Sequence, residues 1–284
     1  MPTALCWKWL AALLLASLLT VRAHGATVVF TVDATQSALD IAPSLTLPTV
    51  NFQTTPQGAG SWTTHYSGTI TAEVTATSFQ ILSANLIAAN SGNWLPGIDY
   101  SNYPGDLNDP NGYVLTPQPA NYGIITDLTP LGTVNGVQGP SPSAIRNLQI
   151  NLSDASAKVL SGGAFDESGS TTHFSSGIIF YASGGSPPIT DLVNTVTPGP
   201  TLDIANLSGT LSASGGTQTL TLPLSFNLNF PITFLQVNDL FSGTIVATAP
   251  LPEPSSACLF GVGALVLFGA RRVQSLRFQR TGRS

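Results

Sequence analysis

No cysteine falls between Ala26 and Pro250; the chain's two, Cys6 and Cys258, sit in apolar segments at its ends. The body therefore has no disulfide framework, no Cys-ligated zinc site and no thiol nucleophile. Charge is also scarce, at 8% of residues, against about 25% in an average soluble domain. Positive charge is scarcer still. The body holds two basic residues, Arg146 and Lys158, against thirteen acidic ones, a net charge of −11. Such a surface has no patch to neutralise phosphates, which argues against nucleic acid as a partner. The 43% hydrophobic content separates the chain from highly charged, apolar-poor disordered sequences.

Catalytic constellations are missing as well. There is no G-x-S-x-G nucleophile elbow and no Gly-rich phosphate loop. His65 and His173 are tied to no serine by any motif. Asp166 and Glu167 are adjacent, which on a strand points them to opposite faces, a poor arrangement for a glycosidase pair. The sequence predicts no enzyme and no cofactor, with a secreted hydrolase as the remote alternative.

What is present is concentrated at the two ends. Residues 1–8 carry one lysine, residues 9–21 form an apolar run, and Ala23-His24-Gly25 supplies the small-residue site before Ala26. That three-part pattern predicts a signal peptide over residues 1–25, removed by signal peptidase. At the other end, Pro252-Glu253-Pro254 precedes an uncharged apolar stretch, residues 255–270, followed by Arg271 and Arg272. As a helix the stretch spans roughly 24 Å, short of the ~30 Å hydrocarbon core unless the arginines snorkel. The arginine cluster sets the topology, with the C-terminus inside and the body outside.

This tail resembles the PEP-CTERM sorting signal. The resemblance covers about the last 30 residues, and residues 273–284 make the basic end longer than is usual. It implies an exosortase as the processing enzyme and a transient anchor in the inner membrane. It also implies delivery to the cell surface or extracellular matrix, with exopolysaccharide as a partner. Residues 250–284 are assigned to this tail.

Between the ends, period-two alternation dominates. Leu220, Leu222, Leu224, Phe226, Leu228 and Phe230 alternate with polar residues and Pro223, as do Tyr66, Ile70, Ala72 and Val74, and Leu148, Ile150 and Leu152. This predicts antiparallel sheet with one wet face. The expected fold for residues 26–249 is all-β, a single barrel-like or sandwich domain between an N-terminal signal helix and a C-terminal transmembrane helix. Three Ser-Gly-Thr triplets, at Gly68, Gly209 and Gly243, read as strand entries where glycine permits a bend. Phe30-Thr31-Val32-Asp33 with Ser37, and the segment from Gly216 to Pro223, resemble bacterial polyisoprenoid-binding, lipocalin-like barrels. That resemblance implies an apolar lipid ligand.

One long irregular stretch, residues 91–121, carries Trp94, Tyr100, Tyr103 and Tyr113. Two readings stay open: a ligand loop whose aromatics stack on sugar rings, or a loop packed onto the sheet by them. Within it, Asp106, Asn108 and Asp109 suggest a Ca²⁺ loop, but Pro110 and Asn111 occupy the places where the motif wants an oxygen ligand and Gly. An Asx/Pro turn cluster is the other reading. The sequence thus points to a noncatalytic exported surface or matrix protein, with a lipid- or glycan-binding module as the alternative.

Overall fold

A computed structural model describes residues 25–96, 117–131, 140–181, 189–195, 202–203, 207–232 and 235–251. The leader, Tyr100, Tyr103, Tyr113, the Ca²⁺ candidates Asp106, Asn108 and Asp109, and the tail with Pro252, Glu253, Pro254, Arg271 and Arg272 lie outside the described residues. Among the described residues no helix is long and apolar enough to cross a membrane. The chain divides into two compact units, one ending at Ala249 and the other running from Pro250 to Ser284.

The first unit is all-β, as the alternation predicts. Strand β17 (Thr217–Ile232) buries Leu220, Leu222, Leu224, Phe226, Leu228 and Phe230 on one face. Strand β10 (Pro140–Asp154) buries Leu148, Ile150 and Leu152, and β5 (Thr63–Val74) buries Tyr66, Ile70 and Ala72. The other strands that frame the core are β1 (Ala26–Val32), β2 (Ala38–Leu47), β6 (Ser78–Ala88), β9 (Tyr122–Asp127), β12 (Ala164–Asp166), β13 (Ser170–Tyr181), β16 (Ser208–Ser214) and β18 (Leu235–Pro250). The strands follow the path β12-β16-β17-β18-β1-β5-β6-β10-β13, with antiparallel pairing in β12–β16, β16–β17, β18–β1, β1–β5, β5–β6, β6–β10 and β10–β13. The sheet curls, so distant strands meet across one core. Phe79 of β6 stacks on Phe165 of β12 at 4.3 Å, and Phe174 of β13 meets Phe226 of β17 at 6.3 Å.

Strands β1 and β2 occupy one lane between β18 and β5. Thr31 opposes Thr248 and Ala38 opposes Thr244, so the lane gains three residues over its neighbour between those pairs. The same offset recurs against β5, where Thr31 opposes Thr69 and Ala38 opposes His65. The excess leaves as a turn. The Asp33 carboxylate accepts from Thr35 N at 2.9 Å, Thr35 Oγ1 at 2.7 Å and Gln36 Nε2 at 2.5 Å, the Asx geometry that favours such a turn. Ser37, fully buried, then repairs the ladder: its hydroxyl donates to Val246 O and accepts from Val246 N. Asp33 and Ser37 are thus explained by strand architecture.

The sheet forks at β10. Its residues 140–145 pair with β9 and its residues 149–152 pair with β6. Asn147 sits between them at φ 54°, a left-handed conformation that asparagine tolerates better than most residues. Buried Asn121 stitches the fork, accepting from Leu148 N at 2.9 Å and donating to Ala88 O and Ala89 O.

The Ser-Gly-Thr triplets correct one expectation. Gly68 and Gly243 lie within β5 and β18, not at their starts; only Gly209 is near a strand entry. At Gly68, φ is +133° and an added Cβ would lie 1.9 Å from the Asn85 carbonyl oxygen, so the glycine permits close approach of two strands.

Candidate functional site

The base of the long stretch is ordered by pairing. Gly92–Trp94 (β7) pairs with Gln118–Ala120 (β8), so both ends of a segment expected to be irregular are ladder. Arg146 clamps the two ends together. Its Nε donates to Pro119 O at 3.0 Å and its Nη2 to Trp94 O at 2.9 Å and Pro96 O at 2.8 Å. The guanidinium lies 4.5 Å from the centre of the Phe180 ring. Burial holds its pKa below the ordinary arginine value. Gln57 adds a second tie, donating to Leu95 O and accepting from Leu95 N.

Trp94 is half-buried at this base. Its ring is packed so closely against Gly92 and Gly123 that a Cβ at either would lie 2.4 or 2.5 Å from it, and its Nε1 donates to Ser91 Oγ. Of the four aromatics singled out in the sequence, Trp94 is a packing residue. The other three lie outside the described residues.

The other basic residue of the body is also turned inward. Lys158 Nζ donates to Ser170 Oγ and lies 3.3 Å from Asp154 Oδ1. Asp154 further accepts from Ile81 N at 2.7 Å and from Ser170 Oγ at 2.5 Å. Close by in sequence, Asp166 is exposed and Glu167 is 1% exposed, on opposite faces as their adjacency requires. Burial pushes the Glu167 carboxyl up to about 8, and neither of its oxygens has a hydrogen-bond partner among the described residues.

A shallow trough of about 550 Å³ runs over the outer face of β5, β6, β10 and β13. Thr69 opposes Asn85, Asn85 opposes Asn151, and Asn151 opposes His173, so four polar side chains cross four strands in one row. Asn151 and His173 lie 3.2 Å apart, and Ser175 donates to Asn151 Oδ1. Apart from His173 no titratable residue among the described residues lines it. A β6 bulge between the Thr71–Ser83 and Ala72–Ile81 pairs leaves Leu82 beside it, 43% exposed. The trough can offer many uncharged donors and acceptors and one apolar contact. Its volume falls in the range of small-ligand sites.

Comparison of the chain with protein-family models, with curated proteins and with solved structures finds no match.

Sequence reasoning missed the trough, because a row across four strands exists only through register. It also missed a buried carboxyl at Asp239. Here a signal was available: Val237, Asp239 and Phe241 share one face of a strand, and both flanking residues point inward.

Proposed function

We propose that the chain is a noncatalytic exported surface or extracellular-matrix protein, sorted through its C-terminal tail. One observation carries the reading: Pro252-Glu253-Pro254, an apolar stretch and Arg271-Arg272 close a chain that opens with a signal-peptide pattern. Signal peptidase removes residues 1–25, the tail holds the body transiently in the inner membrane, and an exosortase processes it. Support comes from the boundary, since the last strand ends at Pro250, two residues before the tripeptide. The curled sheet, with its one continuous pairing path, favours the barrel-like form over the sandwich.

The trough favours a glycan-binding module as the second reading. Neutral sugars present hydroxyls that Asn, Gln, Ser and Thr side chains can both donate to and accept from. Exopolysaccharide is the partner this suggests.

The test is replacement of Pro252-Glu253-Pro254 by three alanines. Native protein is expected at the surface or in the matrix without Arg271 and Arg272. The variant is expected in the inner membrane with its arginines attached. Equal masses for the two, after allowing for the substitutions, would overturn the sorting reading.

A further inference from the structure

One end of the core is filled by aromatic rings, with Phe226 stacked on Phe241 at 5.2 Å and Tyr122 edge-on to Phe241 at 5.7 Å. The other end is not filled. A cavity of about 100 Å³ opens there between β2, β9, β10, β13, β17 and β18. Its walls are mostly apolar, with Leu45, Ile124, Ile179, Phe230 and Val237 among them. At roughly 30 Å³ per water-sized group, it has room for about three to four such groups.

Into this space is set one carboxyl, Asp239, only 3% exposed. Its position in the ladder is unusual, because it lies opposite Pro43, which has no N–H to donate. Among the described residues the Ser44 backbone N–H partly offsets the burial of its carboxyl. No lysine, arginine or histidine among the described residues lines the cavity, and Tyr181 is the other titratable side chain there. The body's two basic residues are engaged elsewhere, Arg146 at Trp94, Pro96 and Pro119, and Lys158 at Asp154 and Ser170.

We propose that this cavity is a binding site for a small primary amine with a short apolar tail, its ammonium paired with Asp239. A buried carboxylate without a counter-ion is costly, and a cation brought by a ligand offsets that cost. The apolar walls take a tail of about three carbons, and Thr126 and Ser143 add hydroxyls to the lining. Without ligand, burial pushes the Asp239 carboxyl up to about 7. The proton must leave before an ammonium can pair with it, while an alkylamine stays protonated well above neutrality. Affinity is therefore proportional to the ionised fraction of Asp239 and weakens as pH falls through that value. The site is independent of the sorting tail, so either reading can fail without the other.

The test is titration of the exported protein with n-propylamine, n-propanol and n-propanoate, followed by ligand-observed NMR. The amine is expected to bind more tightly than the alcohol, and the propanoate not to bind. Lowering pH from about 8 to about 6 should weaken the amine about tenfold and leave the alcohol unchanged. Asp239→Asn should weaken the amine at least about tenfold while sparing the alcohol, and should remove the pH dependence. Leu45→Phe narrows the cavity without touching the carboxyl and should weaken both, which keeps the test sound if Asp239→Asn does not fold. Equal affinity for amine and alcohol, an amine affinity independent of pH or of Leu45→Phe, or no binding of any probe would each overturn the proposal.

Discussion

Arg146 Nη2 stands 2.9 Å from the carbonyl oxygen of Trp94, and through that contact one of the body's two basic residues is committed to the interior. With Lys158 paired to Asp154, neither lysine nor arginine charge remains for an outward partner on residues 26–249. The scarcity of bases seen in the sequence becomes, in three dimensions, a surface whose fixed charges are acidic.

The clamp has a measurable worth. Arg146→Met keeps the length of the stem but leaves the Trp94, Pro96 and Pro119 carbonyls without their donor. We expect a loss of about 2–4 kcal/mol, read from denaturant midpoints. We also expect faster proteolytic cutting between Leu95 and Gln118, followed by mass spectrometry. Unchanged cutting would mean that the loop base is held without the guanidinium.

Removing a ring from the aromatic end of the core leaves a cavity. Phe241 touches Phe226, Phe174 and Tyr122 from one position in β18. Phe241→Ala is expected to destabilise the body by about 3–5 kcal/mol. An exposed control, Val159→Ala, should change stability by less than about 0.5 kcal/mol. Chemical denaturation of both variants checks the pair.

Stability should fall as pH rises from about 4.5 to about 8. Burial raises Glu167 to about 8 and Asp239 to about 7. The native state then holds more protons than the unfolded chain through this window. Their contribution is fully present below the unfolded carboxyl pKa values and is lost as pH climbs through the folded ones. Glu167→Gln should flatten the upper part of the profile. A midpoint that rises steadily over the window would refute both assignments.

The trough gives a binding prediction. Asn85→Leu with Asn151→Leu removes two members of the row Thr69, Asn85, Asn151, His173 and should abolish retention of the protein on neutral exopolysaccharide. Thermal midpoints should move little, because both residues face outward. Equal retention of the double variant would remove the glycan reading of this face.

Much of the fold was legible because period two is a local property. Leu220 to Phe230 could be assigned to one buried face from spacing alone, and Asp166 and Glu167 to opposite faces by adjacency. The Asx turn at Asp33 and the pairing of Gly92–Trp94 with Gln118–Ala120 were not legible. The turn's own hydrogen bonds are local. The three-residue excess it absorbs, like the β7–β8 pairing, depends on which residue stands across the ladder, and that is set by chain segments far away in sequence.

The sequence by itself determined the all-β class and the absence of a disulfide in the body, and it set apolar segments at both ends. Each of these follows from residue type and near-neighbour spacing. Tertiary structure decided the rest. It turned Arg146 and Lys158 inward, packed Trp94 against glycines, aligned Thr69, Asn85, Asn151 and His173 across four strands, and left Asp239 facing an unfilled end of the core. Register and curl are collective properties of a sheet, fixed when distant strands pair, so no single segment encodes them.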